Sequence, residues 1–475
     1  MSIDLNIKIE GTIVYPWSPE YNQDRKDFND LYPAYPKMIV YVISTSDISW
    51  CLAYAKEQQL HTVIRSGGHS LAGYSVGNGM VIDMSKMANV IIAEDCQTAK
   101  VGAGCNFDTL NTALEKEGLH LPGGGCPSVA VAGFMMGGGY GFTSRTFGMN
   151  CDHVLEVTIM LASGEIVVAN ETQYADLFWA IRGGTGGNFG VLIDITYRVH
   201  QLGNIYGIQI QWPFETDEQQ ENAAQAMYVM QEHYILGGKF PDMGFELALI
   251  TDNEDMIKKL TFCATWVGTK EDLDGAVEPL LEVPGATVSK ELYGPYSMIN
   301  GELLSNVEQV PRDIKAYSRC AYFERQLEQC DYKAILQYYQ TTAPNKYTIV
   351  AFEAYGGVIN SVAPDAMAFM HRSVMYDCFA DAFFDEETND QEKNKVWLES
   401  FFRYLEEFTN GHSYQNYPSR MQEDFRWAYW GDQYSKLVDI KTKYDPQNFF
   451  YYQQSIGAQP NAAASDSPKP ENPDC

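Results

Sequence analysis

The pattern of apolar and polar positions changes character near residue 205. Before that point, short apolar runs alternate with helical patterns. Residues 38–43 (MIVYVI) read as a buried strand, and Ile48, Cys51, Leu52 and Ala55 recur at helical spacing behind a Ser46-Asp47 cap. His61 to Ile64, Met80 to Asp83 and Ala99 to Val101 are further strands, and Phe107 to Glu117 is a helix. Glycine clusters sit at the junctions, where backbone must approach something closely. Beyond 205 the clusters thin out. YGIQIQW (206–212) and GFELALI (244–250) alternate as strands of an antiparallel sheet do, and helices are predicted over 221–233 and 367–384. From about 412 the chain turns aromatic and loop-like, and it closes on a helix and the string YDPQNFF. The pattern predicts an α+β protein with a first domain over 1–204, a second over 205–411 and a C-terminal segment over 412–457. Residues 458–475, rich in Pro, Ala, Ser and Asp, are expected to be a flexible tail.

Composition narrows the functional classes. Sixty-two acidic against 33 basic residues give a net charge of −29, a field that repels nucleic acid and anionic lipid. The expected partner is a neutral or cationic small molecule. No run approaches the roughly 20 apolar residues that span a bilayer. The start, MSIDLNIKIEG, has no basic stretch before an apolar core, which favours a cytoplasmic location, or a secreted one if a leader has been removed. The ten cysteines include no CxxC pair, so no metal site is expected and no disulfide framework is indicated. Nothing in the sequence chooses between a monomer and a small homo-oligomer.

Four motifs could carry chemistry. Arg65-Ser66-Gly67-Gly68-His69-Ser70 follows a strand, and its small residues allow backbone N–H groups to converge on an anion such as a pyrophosphate. On pattern alone, His69 could equally be a surface turn residue. In Pro122–Gly141, eight of 20 positions are glycine. Each interior glycine costs roughly 0.5–1 kcal/mol, so a flat ligand pressed against backbone is the better explanation. Within that run Cys126 is either a reactive thiol or an inert, buried one. The third, Arg182 to Gly190, superficially has a dinucleotide fingerprint, but Phe189 holds the final glycine position and a strand follows, which rejects a Rossmann unit. The fourth, Gly73-Tyr74-Ser75-Val76-Gly77, satisfies the nucleophile elbow of serine hydrolases. A glycine turn before it and a strand after it argue against that reading.

Together the residues resemble the berberine bridge enzyme-like branch of the vanillyl-alcohol oxidase flavoproteins, with the glucooligosaccharide oxidases among its members. RSGGHS, GGGCPSVAVAGFMMGGGYG, FGMNCDHV, LASGEIV, DLFWAIRGGTGGNFG, NYPS and IKTKYDPQNFFYYQQSIG carry the resemblance in order over nearly the whole chain. It implies a two-domain FAD-binding fold with an antiparallel substrate domain flanked by helices, and a C-terminal segment returning to the FAD domain. It implies FAD attached covalently through both His69 and Cys126. Arg65, Ser66, Gly67, Gly68, Ser70, Val129, Gly133, Gly137, Gly138, Gly139, Gly141, Gly190 and Val191 complete the expected cofactor-binding set. Val129, third after the cysteine, stands where members that use O2 place a small residue, so an oxidase releasing H2O2 is implied.

On the substrate side, Tyr417 in NYPS matches the general base of sugar-oxidising relatives, and Glu353 the position of its partner carboxylate, usually Asp. From the residues alone, Tyr417 could be packing and Glu353 a strand-edge charge. A phenol with pKa near 10 is a poor base at neutral pH, so Tyr417 needs a coupled acceptor. Leu71 departs from the Tyr that relatives often carry after GGHS. The expected function is oxidation of a hydroxyl, at an oligosaccharide C1 or a similar alcohol. The alternatives are a tailoring oxidase of secondary metabolism acting on a glycosylated or polycyclic product, a non-catalytic flavin-binding protein and, least, a serine hydrolase.

Overall fold

The first apolar runs form a small mixed sheet. Strands β1 (Thr12–Val14), β2 (Met38–Tyr41), β3 (Thr62–Arg65) and β4 (Met80–Asp83) lie in the order β1-β2-β4-β3, with β4 parallel to both β2 and β3. This is a computed structural model, and it describes residues 9–305, 315–385 and 390–457. The expected tail over 458–475 lies outside the described residues. The helix linking β2 to β3 runs Thr45–Glu57 and is capped by Ser44, whose side chain accepts from the N–H of Asp47. The Ser46-Asp47 pair does not cap it. Asp47 instead accepts from the N–H groups of Glu10, Gly11 and Ile43, tying the incoming chain to the helix start.

The chain continues through β5 (Val90–Ile92), β6 (Thr98–Gly102), β7 (Leu119–His120), β8 (Val154–Met160), β9 (Ile166–Asn170), β10 (Val191–Arg198) and β11 (His200–Gln201). Five of these form an antiparallel sheet in the order β5-β6-β10-β8-β9, while β7 and β11 pair separately. GxSxG lies in a turn-rich loop between β3 and β4 with a strand after it, so the elbow geometry is missing.

The remaining strands are β12 (Ile205–Pro213), β13 (Met243–Thr251), β14 (Lys258–Trp266), β15 (Thr287–Gly294), β16 (Lys315–Phe323), β17 (Thr348–Ala354) and β18 (Tyr376–Phe384). They form one antiparallel sheet in the order β15-β12-β14-β13-β17-β18-β16. Its two faces are separated by strict alternation. Phe245, Leu247, Leu249, Val350, Phe352, Tyr376, Cys378 and Ala380 pack against helices including Asp217–Met230, Gln329–Thr342 and Gln391–Leu405. The residues between them on β13, β17 and β18 face the glycine-rich half of the chain.

The helix predicted over 367–384 is not formed. Residues 367–375 are a loop and the rest is strand β18. The strand is buried on both faces, so the polar–apolar alternation that marks a strand is absent. Asp377 and Asp381, four residues apart, imitate the polar stripe of a helix.

Candidate active site

Two loops meet at one end of a cleft, and a glycine lets them do so. A side chain on Gly67 would lie 2.7 Å from the backbone N of Ala130 and 3.2 Å from the carbonyl O of Ser128. Its absence lets the turn after β3 lie directly on the Cys126 loop. That second loop is pinned from behind, because the carbonyls of Pro127 and Val129 accept from the N–H groups of Asp108 and Phe107 at the start of helix Phe107–Glu115. The result places His69 Nε2 2.9 Å from Ser128 Oγ, and Cys126 Sγ 3.3 Å from the same oxygen. Phe28 stacks on the imidazole, with ring centroids 4.8 Å apart. Burial lowers the His69 pKa to about 4, so the ring is neutral and its nitrogen lone pair is available.

From this end a cavity of about 490 Å³ runs between the glycine-rich loops and the face of the seven-stranded sheet. Ser66, Gly67, Gly68, His69, Ser70, Cys126, Val129, Gly133, Gly141 and Gly190 line it, as expected for a ligand held along backbone. Gly133 shows the fit to a flat cofactor. A methyl group there would meet nothing within 4 Å, so it would fill open space in the cleft. Among the described residues the lining includes no Lys or Arg, so a pyrophosphate would be held by backbone N–H groups and hydroxyls.

Five of the expected cofactor residues lie outside the cleft. Arg65 is buried in an ion pair with Asp83, and Val191 is fully buried in β10. Gly137, Gly138 and Gly139 lack side chains for the protein's own packing. A Cβ on them would lie 2.0 Å from Asn416 Oδ1, 2.5 Å from the Phe369 ring and 2.6 Å from Asn150, respectively. Gly137, Gly138 and Gly139 therefore make room for the protein's own side chains, whereas Gly133 and Gly141 of the same run line the cleft.

What Gly137–Gly139 receive is the segment that carries Tyr417. Tyr414 Oη accepts from the N–H groups of Gly139 (2.8 Å) and Tyr140 (3.0 Å), and Asn416 Nδ2 donates to Phe134 O (2.8 Å). Gln415 Nε2 donates to Gly183 O at 3.0 Å. Residues 414–416 are thus stitched to both glycine-rich segments, and Tyr417 emerges into the cleft. Its Oη donates to Glu353 Oε1 at 2.8 Å. Glu353 is 6% exposed in the interior strand β17, so it is no strand-edge charge, and the longer Glu reaches the phenol. Burial, reinforced by the Glu353 carboxylate, pushes the Tyr417 phenol well above 10.

Sequence reasoning missed several lining residues. Glu246 lies directly across the β13–β17 ladder from Glu353, and Phe379 and Asp381 face the cleft from β18. Burial pushes the Asp381 carboxyl up to about 6, against the lowering effect of Ser318. A lone Glu in GFELALI was a usable signal. The residues on β18 were hidden by the helix prediction. Thr185, Gly186, Tyr74 and Tyr452 line the far part of the cleft.

Comparison with known proteins agrees with this geometry. Residues 36–170 match the family described as FAD binding domain, and residues 413–457 match berberine and berberine like. The structure of BBE-like 1 from Physcomitrella patens aligns with a TM-score of 0.84 at 25% identity, covering 95% of this chain and 97% of that one. The chain thus carries the FAD-binding and berberine-like segments of the berberine bridge enzyme-like FAD-linked oxidases. It is an oxidoreductase that binds FAD, with the vanillyl-alcohol oxidase-type fold. A carbohydrate oxidase from Microdochium nivale is 26% identical over 472 residues, spanning 93% of this chain and 92% of that protein. The glucooligosaccharide oxidase of Acremonium strictum, described as carrying 6-S-cysteinyl, 8α-N1-histidyl FAD, shares the fold at TM-score 0.82 and 22% identity, covering 94% and 97%.

Proposed function

We propose that this protein oxidises a hydroxyl group, with FAD tethered through His69 and Cys126 and O2 as the final acceptor. The observation that carries the reading is the 2.8 Å hydrogen bond from Tyr417 to Glu353, lying in the same cleft as His69 and Cys126. Residues 9–204 and 412–457 hold the cofactor, and 205–411 roof the substrate. Bound in the cleft, FAD supplies the hydride acceptor and passes the electrons to O2. The protein supplies the proton chemistry. Tyr417 is too weak an acid to persist as free phenolate, so it works as a relay. Its own proton moves to Glu353 as Oη takes the proton of the substrate hydroxyl. Val129 lines the cleft three residues beyond Cys126, and its small side chain leaves room for O2.

Two tethers fit the geometry of the loops. His69 and Cys126 converge on one oxygen, and the neutral imidazole and the thiol are both competent nucleophiles toward an electron-poor ring. The double attachment named for the glucooligosaccharide oxidase neighbour supports the same arrangement here. The carbohydrate oxidase relative supports a sugar hydroxyl as substrate. A second reading, oxidation of a polycyclic or glycosylated natural product, is favoured by Phe142, Phe379 and Phe383 on the cleft wall. An oxygen-electrode screen separates the two. Consumption of O2 and release of H2O2 with cellobiose, lactose, maltose or chitobiose is expected. No turnover of any of them, with turnover of an aromatic alcohol, would move the assignment to the second reading.

A further inference from the structure

We propose that the Ser128 hydroxyl selects the nucleophilic atoms of both tethering residues, accepting the Nε2–H of His69 and donating its own hydrogen to Cys126 Sγ. The inference rests on the double-tether reading. One oxygen lies 2.9 Å from Nε2 and 3.3 Å from Sγ, and a hydroxyl has one hydrogen to give and lone pairs to accept with. The neutral imidazole has a single N–H. With that hydrogen on Nε2 and directed to Ser128, Nδ1 keeps its lone pair and becomes the nucleophile. The serine hydrogen is then left for sulfur, to which it donates as the S–H proton leaves. The opposite polarity, with serine donating to Nε2, would put the ring hydrogen on Nδ1 and block it.

The surroundings hold this relay in place. The stacked Phe28 ring restricts rotation of the imidazole, and the Gly67 contact fixes the height of the Ser128 backbone. Pro127 limits the backbone between sulfur and hydroxyl. Ser128 is thus a positioning residue. It forms no bond to the cofactor.

The tethering chemistry balances with O2 as oxidant. At His69 an N–C bond forms to the ring methyl carbon, which loses a hydrogen, and the imidazole hydrogen leaves as a proton. At Cys126 an S–C bond forms to a ring carbon that loses its hydrogen, and the thiol proton goes to solvent. Each bond leaves two electrons on the flavin, and O2 removes them as H2O2.

The test follows tether formation by peptide mass mapping, on full-length wild type, Ser128→Ala and Ser128→Thr purified at successive times after expression. Thermal melting reports folding separately. The expected result is Ser128→Ala that melts like wild type but forms both bonds at least ten-fold more slowly, with Ser128→Thr restoring the rate. In Ser128→Ala the Cys126 bond should also form faster as pH is raised, a response that a merely structural role would not produce. Wild-type rates of both bonds in Ser128→Ala would overturn the role of Ser128 alone. A wild-type protein with an unmodified Cys126 or His69 peptide would instead overturn the double-tether reading beneath it.

Discussion

Tyr417 and Glu353 are joined by a single hydrogen bond, and each has a different consequence when removed. Tyr417→Phe keeps the ring contacts with Phe379 and Tyr414 but loses the proton acceptor. It should lower kcat by roughly 100- to 10,000-fold with KM little changed, the range seen when a positioned base is removed. Glu353→Gln keeps a hydrogen-bond acceptor without the basicity. It should lower kcat less at pH 7 and regain activity as pH rises, because a hydroxide-rich medium substitutes for the carboxylate. Stopped-flow reduction of the flavin checks both, and an unchanged rate in Tyr417→Phe would remove Tyr417 from the reaction. At this scale the sequence was partly legible. Tyr417 and Glu353 could be picked out by resemblance, but whether the longer Glu reached the phenol depended on a 2.8 Å distance that no string of letters encodes.

Glycine-rich elements looked uniform in sequence and divide into two kinds in the fold. Gly133 lies in helix Val131–Met136 and faces the cleft, whereas Gly138 has φ +115° and abuts Phe369. Opposite effects are predicted for the same substitution. Gly133→Ala should hold or raise the stability of the apoprotein by up to about 1 kcal/mol, the helix preference of Ala, while lowering FAD content. Gly138→Ala should destabilise by on the order of 2 kcal/mol through backbone strain and the clash with Phe369. Thermal melting alongside flavin absorbance decides it, and equal losses in both variants would contradict the division. Composition alone cannot separate these cases, because the neighbours of Gly137–Gly139 (Asn416, Phe369, Asn150) are brought there by distant parts of the chain. The same limit explains β18, where burial on both faces erased the alternation, while half-buried helices such as Thr45–Glu57 kept their period.

Across the whole molecule, buried histidines should make the fold acid-labile. Burial holds His120 near 3 and His153 near 4, and both are under 5% exposed. Their folded pKa values lie below the unfolded value of about 6.5, so between these limits the unfolded chain binds more protons. Their contribution is complete above about pH 6.5 and is lost as pH falls toward 3 to 4. At pH 5 the loss reaches about 2 kcal/mol for each histidine. Asp381, raised to about 6, has the opposite slope between about pH 4 and 6, so the histidine effect is isolated with His120→Gln. That variant should show a smaller drop in Tm between pH 7.5 and pH 5 than the parent, and an equal drop would refute the assignment. The same whole-molecule view gives the most direct test of the double tether. The protein and its His69→Ala, Cys126→Ala and doubly substituted variants are denatured in acid, and intact mass is measured. Retention of flavin mass by the parent and by each single variant, with complete release only from the double variant, is the predicted outcome. A parent that releases its flavin, or a double variant that keeps it, would contradict attachment through His69 and Cys126.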